Sequence, residues 1–301
     1  MEYSWPRVIV GLVELGRPVN AVMGVLALFL GVSVVSGRPP TFIPLDQVSV
    51  MVLAGLLIAY SVMAVNDIVD LDVDRVNAPW RPLASGLLPL EPTLRLSIAI
   101  TLLALGLTLY IEPSPLTTLA ALWFLGLAHF YNFRGKRLLV VGNIIVAFLT
   151  AFPLLYGALV ASYYLGGDWG LDDYLRSAVF WAMVFLAVLG REVAKGIADV
   201  EGDRRAGVKT IATVYGVRVA GMTTLAIYLT SIALSLVPAI LGVVNVTPYL
   251  AVIIPVDILA FLEGLRLASN PTRDNALAHK RRVLILMLIS MIGLYMGSHG
   301  V

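Results

Sequence analysis

The chain has 301 residues, of which 59% are hydrophobic and 13% are charged, with a mean hydropathy of +0.90. Soluble domains carry about 25% charged residues, so this composition excludes a soluble fold and indicates a protein of the lipid bilayer. The formal net charge of +2 is too small to indicate nucleic-acid binding. The sequence contains no cysteine, which excludes disulfides, thiol catalysis and Cys-ligated zinc.

Apolar runs, taken in chain order, predict the membrane helices. A spanning helix needs about 20 mostly apolar residues. Read against charged and Pro/Gly breaks, the sequence predicts nine spans, at about 18–36, 47–66, 94–111, 115–131, 139–161, 175–195, 217–240, 247–266 and 283–299. We therefore predict an all-α, polytopic membrane protein that forms a single domain over residues 1–301. The two most acidic segments follow the second and sixth spans, which indicates a faint internal repeat of four-helix units.

The basic residues predict the orientation of these spans. If the N-terminus is cytoplasmic, all of the 21 Lys and Arg residues except Arg38 and Arg176 fall on the cytoplasmic side. The positive-inside rule therefore favours a cytoplasmic N-terminus and an external C-terminus. The long polar loops, at roughly 67–93, 132–138, 196–216 and 267–282, lie on the same side. We expect the active site at the cytoplasmic face.

The segment after the second span is densely acidic. If that span continues as a helix, Asn66, Asp67, Asp70 and Asp74 share one face, and Asp72 points elsewhere. Like charges at this spacing repel one another. Each charge near the end of a membrane span costs up to about 2.5–3.5 kcal/mol, so we expect a cation to offset them.

A second stripe, formed by Glu192, Lys195, Asp199 and Asp203, follows the sixth span. Carboxylate and amide oxygens without His or Cys suit a hard cation, and Mg²⁺ prefers a few carboxylates completed by water and phosphate oxygens. Two facing stripes could hold Mg²⁺ ions that bridge a diphosphate. The alternative for each stripe taken alone is a solvated acidic loop, and it is weaker for the denser first stripe.

Both stripes resemble hallmark motifs of the UbiA superfamily of intramembrane prenyltransferases. The N-D-x-x-D-x-x-x-D hallmark is matched by Asn66, Asp67, Asp70 and Asp74, and the D-x-x-x-D hallmark by Asp199 and Asp203. Flanking matches are Arg17-Pro18-Val19-Asn20, Arg75 to Pro82, Tyr131-Asn132 with Lys136, and Gly207 to Thr210. The resemblance runs from residue 17 to about 216 and implies a ring of helices around a central cavity.

The resemblance also implies the roles of individual residues. It gives Mg²⁺ coordination to Asn66, Asp70, Asp74, Asp199 and Asp203, and adds Asp67 to the four aspartates as a catalytic residue. It gives binding of an isoprenyl diphosphate to Arg17, Asn20, Arg75, Arg81, Tyr131, Lys136 and Lys195. Gly196 departs from the pattern, because many relatives carry an acid directly after this lysine.

The acceptor is less constrained by the sequence. Several stretches look most similar to digeranylgeranylglyceryl phosphate synthases, which implies transfer of a geranylgeranyl group to a glyceryl phosphate ether. An aromatic acceptor, as in 4-hydroxybenzoate polyprenyltransferases, is the alternative within the superfamily. A secondary transporter is the non-enzymatic alternative, and Asp257 is then the chief intramembrane carboxylate.

Overall fold

The computed structural model describes residues 5–111, 114–167, 170–205 and 207–299, and its long elements are α-helices. They are α1 (Trp5–Leu15), α2 (Pro18–Ser36), α3 (Leu45–Val69), α4 (Leu71–Asn77), α5 (Leu90–Ile111), α6 (Pro115–Phe133), α7 (Val141–Tyr164), α8 (Leu171–Arg205), α9 (Ile211–Val214), α10 (Val217–Ser235), α11 (Val237–Ile240), α12 (Val246–Ser269) and α13 (Arg273–Gly297). Short 3-10 turns lie at Pro40–Phe42 and Gly135–Arg137. The predicted all-α class is confirmed.

Seven helical stretches of the described residues are long and apolar enough to cross a membrane. They are Trp5–Ser36, Leu45–Val69, Leu90–Tyr110, Pro115–Phe133, Val141–Tyr164, Leu171–Arg205 and Val217–Ile240, and they overlap the first seven predicted spans. Helices α12 and α13 cover the eighth and ninth, but α12 carries Asp257 and Glu263, and α13 begins with a strongly basic segment. The protein is therefore multi-pass, and the number nine stays a prediction.

The chain divides into two compact units. The first consists of Met1–Val25 with Ile43–Gly135, and the second of Leu26–Phe42 with Lys136–Val301. Helix α2 contributes its first residues to one unit and its remainder to the other. The expectation of a single domain stays a prediction.

In the first unit, an apolar core fixes the start of α2 beside α3. Leu15, at the end of α1, is fully buried and clusters with Ala64 of α3 and with Leu83 of the segment after α4. The next residue is Gly16, where an added Cβ would overlap the ring of Tyr60. Only glycine therefore permits this approach, and it brings the following residue, Arg17, to the end of α3.

In the second unit, α2 and α7 approach to backbone contact. A Cβ added to Gly31 of α2 would overlap the carbonyl oxygen of Leu154, and one added to Gly157 of α7 would overlap that of Leu28. Small residues permit this kind of close packing between membrane helices. Helix α8 packs in turn against α7, α10 and α13.

A buried polar cluster joins α10, α12 and α13 near α8. The hydroxyl of Tyr228 lies 2.9 Å from Nε2 of His279, and Glu263 accepts a hydrogen bond of 2.6 Å from Arg266. A Cβ on Gly190 would overlap the Tyr228 ring, so this glycine lets the ring lie against α8. The cluster holds the first turns of α13 in place.

Candidate active site

The first acidic segment is not one continuous helix, which corrects the expectation from the sequence. Helix α3 ends at Val69, and Asp70, with φ −91° and ψ 6°, separates it from α4. This conformation belongs to the sparsely populated bridge region, where many active-site residues lie. The N–H of Asp70 still donates to the carbonyl of Asn66 (2.9 Å), and that of Asp74 to Asp70 (2.7 Å). The four-residue spacing therefore survives the break, and Asp72 is exposed as expected.

Two arginines converge on the carboxylates of this segment. Asp67 is 3% exposed and accepts hydrogen bonds from Arg17 and, at 3.3 Å, from Arg81. Arg81 also donates to Asp74 at 2.5 Å, and Asp74 is itself buried. Buried carboxylates require such partners, because an unpaired charge in a low-dielectric setting is strongly unfavourable.

Burial and ion pairing act against each other on the pKa values of Asp74 and Arg81. Burial raises the pKa of the Asp74 carboxyl, and the neighbouring Arg81 only partly opposes the rise. Burial also disfavours the charged form of Arg81, but Asp67 and Asp74 outweigh it and raise the pKa of the guanidinium. Arg81 is therefore the group that keeps Asp74 available as an anion.

Asparagine side chains connect this site to α6. Asn66 accepts a hydrogen bond from Arg17 and donates to Asp70 and Asn132, each at 3.2 Å. Asn132 is 1% exposed and donates to the carbonyl of Val62 at 2.9 Å. Asn132 was not predicted as a site residue, although it stands beside Tyr131 in a segment that resembles the family. Its polar amide directly after a predicted span could have indicated a role.

Arg17 has an unusual backbone conformation. Its φ of 45° is left-handed, which is costly for a residue with a side chain and especially before a proline such as Pro18. Strain of this kind costs on the order of 1–3 kcal/mol and is often found at functional sites. Here the strained residue is the one whose guanidinium reaches Asn66 and Asp67.

Not every predicted residue of the first unit joins this network. Arg75 pairs with Asp72 at 3.0 Å and its side chain is 61% exposed. Asn20 is exposed on α2, outside this network. Tyr131 is half-buried on α6 and is engaged in an interaction of its own. The structure therefore brings together Arg17, Asn66, Asp67, Asp70, Asp74 and Arg81.

In the second unit, one unbroken helix carries the second motif. Helix α8 runs through Lys195, Asp199 and Asp203, whose four-residue spacing keeps them on one face. Lys195 donates to Glu192 at 3.3 Å. An added Cβ on Gly196 would contact Thr210, so this position faces the segment before α9. Lys136 lies in the 3-10 turn Gly135–Arg137.

The donor chemistry of both motifs fits a hard cation. Among the described residues, no three His, Cys, Asp or Glu side chains converge as a ready-made metal site. Mg²⁺ does not need one, since it is commonly bound by one or two carboxylates with water and substrate phosphates. The amide and carboxylate oxygens of Asn66, Asp70 and Asp74 are suitable ligands of this kind.

A multi-pass helical fold with two acidic motifs, the first held by arginines, is the arrangement expected of an intramembrane enzyme that binds a charged substrate. The model of the "UbiA prenyltransferase family" matches residues 21–292. The chain belongs to this family and is a prenyltransferase.

Named relatives cover most of the chain. The digeranylgeranylglyceryl phosphate synthase of Hyperthermus butylicus is 34% identical over 288 residues, which is 94% of each chain. The synthase of Ignicoccus hospitalis is 33% identical over 77% of this chain and 75% of its own.

Solved structures share the fold. A structure described as giving insights into digeranylgeranylglyceryl phosphate synthase in membranes has a TM-score of 0.73 and 23% sequence identity to this chain. The match covers 98% of this chain and 99% of the other. A UbiA homologue from Archaeoglobus fulgidus, bound to GPP and Mg²⁺, has a TM-score of 0.62 at 18% identity, over 95% and 99%.

Proposed function

We propose that this prenyltransferase moves a geranylgeranyl group from its diphosphate to the hydroxyl of a glyceryl phosphate ether during membrane lipid synthesis. The observation that carries the proposal is the network in which half-buried Arg17 and Arg81 bind the buried carboxylates of Asp67 and Asp74. Such a network presents fixed positive charge beside candidate metal ligands. The acceptor is supported by the relatives named digeranylgeranylglyceryl phosphate synthases.

We assign the metal-binding role to Asn66, Asp70 and Asp74 of the first motif and to Asp199 and Asp203 of the second. Mg²⁺, when bound, would supply Lewis acidity at the phosphate oxygens and neutralise the developing charge. The bound GPP and Mg²⁺ of the Archaeoglobus fulgidus homologue support this assignment. Asp67 has a different role in our proposal, because it holds the guanidinium groups of Arg17 and Arg81.

The cationic side chains stabilise the leaving group. The allylic C–O bond breaks and its electron pair leaves with the diphosphate. The acceptor hydroxyl forms the new C–O bond, and its proton passes to the released diphosphate. As its charge increases, the diphosphate would be bound by the side chains of Arg17, Arg81, Lys136 and Lys195. This is preorganised electrostatic stabilisation.

Asn20 and Tyr131 are proposed substrate contacts, and an aromatic ring favours a nearby allylic cation. Arg75 remains a predicted contact of the diphosphate, but its observed pairing is with Asp72 and does not support that role.

We also propose that nine helices span the bilayer around a central cavity, with the N-terminus cytoplasmic and the C-terminus external. The distribution of Lys and Arg supports this orientation. It puts both acidic motifs at the cytoplasmic face, where a water-soluble diphosphate could be released.

The secondary-transporter alternative has less support. Its candidate carboxylate, Asp257, accepts a hydrogen bond of 2.6 Å from Ser235, whose carbonyl oxygen accepts one of 2.7 Å from Tyr249. This arrangement gives Asp257 a structural partner within the helices. The family assignment also favours an enzyme.

A direct assay tests the proposal. Purified protein in lipid nanodiscs is incubated with geranylgeranyl diphosphate, Mg²⁺ and either geranylgeranylglyceryl phosphate or 4-hydroxybenzoate, and both prenylated product and released diphosphate are measured. We expect product from the glyceryl ether, and loss of turnover in Asp70→Ala and Asp203→Ala. Asp72→Ala is the control because Asp72 is exposed. Prenylation of 4-hydroxybenzoate alone would reassign the acceptor, and full activity in Asp70→Ala would contradict the metal site.

A further inference from the structure

Helix α1 has a side that packs against the protein and an exposed apolar side. Leu15 is fully buried, and Leu12 packs against the same core cluster. Trp5, Ile9 and Val13 follow one another at one-turn spacing and are 75%, 59% and 55% exposed. The exposed side is therefore an apolar surface that runs along the whole helix.

The two charged residues of α1 lie on a third side. Arg7 and Glu14 are both exposed, and helical geometry places them about half a turn away from Trp5. An exposed apolar surface with a polar border marks a contact with a protein or a membrane. Charged and apolar sides divided in this way are typical of a helix that lies in the plane of a membrane interface.

The length of the first apolar stretch places α1 at the edge of the bilayer. Trp5–Ser36 contains 32 residues, which would extend over about 48 Å as one straight helix, whereas the hydrocarbon core is about 30 Å thick. Helix α2 has 19 residues and extends over about 28 Å on its own. The helix is interrupted at Gly16 and Arg17, so α1 lies at the level where α2 leaves the hydrocarbon.

A lipid surface is the occupant that this position favours for the apolar side. Two residues, Gly16 and Arg17, separate α1 from the membrane helix α2, so α1 lies at the bilayer whether or not another protein is present. The side chain of Trp5 suits this level, because its ring is apolar and its N–H can reach the headgroups. The charged side, with Arg7, then faces water and lipid phosphates.

The protein-facing side of α1 connects the two segments that carry the arginines of the first motif. The helix ends two residues before Arg17. A Cβ added to Gly11 would lie 3.5 Å from the Cβ of Pro82, the residue after Arg81. Arg17 and Arg81 both donate to Asp67. A displacement of α1 would therefore move both guanidinium groups relative to this carboxylate.

We propose that α1 is an interfacial helix whose Trp5, Ile9 and Val13 side chains bind the lipid surface at the end of the bilayer where the first motif lies, and that this contact holds Arg17 and Arg81 in place. The positioning role rests on the proposed function, in which the two arginines bind the diphosphate. The lipid contact itself does not depend on that function.

Spin labels on single introduced cysteines test the lipid contact in the full chain, which contains no natural cysteine. Labelled Ile9→Cys and Glu14→Cys are placed in nanodiscs of phosphatidylcholine and phosphatidylglycerol. Relaxation by oxygen, which partitions into lipid, is compared with relaxation by a water-soluble nickel chelate. We expect oxygen to dominate at Ile9→Cys and nickel at Glu14→Cys. Nickel dominance at both positions would overturn the proposal by placing α1 in water, and protection of Ile9→Cys from both reagents would overturn it by showing that a protein, such as a second copy of the chain, covers this side.

Steady-state kinetics in the same nanodiscs test the positioning role. In Ile9→Gln/Val13→Gln, we expect the KM for geranylgeranyl diphosphate to rise about tenfold, the effect of one weakened charge-assisted hydrogen bond, while the KM for the acceptor stays unchanged. The conservative variant Ile9→Leu/Val13→Leu should keep the wild-type values, and so should the matched control Glu14→Gln, which changes an exposed residue of the charged side.

Two kinetic results would overturn the positioning role: an unchanged KM for the diphosphate in the glutamine variant, or an equal rise in the KM values for diphosphate and acceptor. Absence of wild-type transfer to geranylgeranylglyceryl phosphate would instead contradict the proposed function. The spin-label measurement would still decide the lipid contact in that case, because it does not depend on turnover.

Discussion

Arg17 and Arg81 reach Asp67 from different parts of the chain. Arg17 extends from the turn between α1 and α2, and Arg81 from the segment after α4, yet both donate to the same buried carboxylate. Asp67 therefore orients two cations, and Arg81 in addition neutralises Asp74. Removal of Arg81 leaves two buried carboxylates less well compensated, whereas removal of an exposed arginine has no such consequence.

We predict that Arg81→Gln lowers kcat/KM by about 100-fold, the order expected for loss of a preorganised donor at a developing charge. The Mg²⁺ concentration required for half-maximal activity should also rise, because Asp74 becomes harder to ionise. Arg75→Gln is the matched control. Its exposed pair with Asp72 is worth at most about 1 kcal/mol, so activity should change less than about fivefold. Equal losses in the two variants would contradict the distinction.

Asn132 offers a second test, because its amide links α6 to both Asn66 and the carbonyl of Val62 in α3. We predict that Asn132→Leu lowers kcat about tenfold, since a lost buried hydrogen bond costs on the order of 1–2 kcal/mol. Asn132→Asp keeps the oxygen that accepts from Asn66 and should retain more activity than the leucine variant. If the leucine variant is folded and fully active, Asn132 has no part in orienting the site.

The sequence predicts the acidic stripes but not their partners. Spacing at four residues identifies which side chains share a helix face, and it correctly separates Asp72 from Asp74. It contains no information on which side chains from distant segments meet that face. The contacts of Asn132 and Arg81 depend on tertiary packing of α6 and of the segment after α4, so they became visible only in the structure.

The helices that carry the two motifs differ in continuity. The first motif straddles a break between α3 and α4 at Asp70, while the second lies within α8. No proline or glycine marks the break in residues 66–74, and the four-residue backbone hydrogen bonds persist across it. The four-residue periodicity therefore predicted that Asn66, Asp70 and Asp74 share a face. It could not predict the break between α3 and α4.

Close helix packing makes the second unit sensitive to single methyl groups. We predict that Gly157→Ala lowers the free energy of unfolding by about 1–3 kcal/mol, because its Cβ would overlap the Leu28 carbonyl and overpacking costs this much. Gly126→Ala is the control, since nothing lies within 4 Å of an added Cβ there; it should be neutral or raise stability by up to about 1 kcal/mol. Thermal unfolding in one detergent measures both, and an unaltered midpoint in Gly157→Ala would contradict the close approach.

The orientation of the whole chain depends on whether α12 and α13 cross the bilayer. If both cross, the connection between them lies on the cytoplasmic side together with its cations, as the positive-inside rule requires. If neither crosses, Arg266, Arg273, Lys280, Arg281 and Arg282 lie on the external side. The second arrangement would reverse the charge distribution that the other loops follow.

Because the chain contains no cysteine, single introduced cysteines report directly on sidedness. Asp274→Cys lies in the first turn of α13, Thr41→Cys in the predicted external loop, and Glu91→Cys in a predicted cytoplasmic loop; all three positions are exposed. In intact cells, we expect a membrane-impermeant maleimide to label only Thr41→Cys. In inverted vesicles it should label Asp274→Cys and Glu91→Cys. Labelling of Asp274→Cys from outside would contradict this orientation, because the connection between α12 and α13 would then lie on the external side.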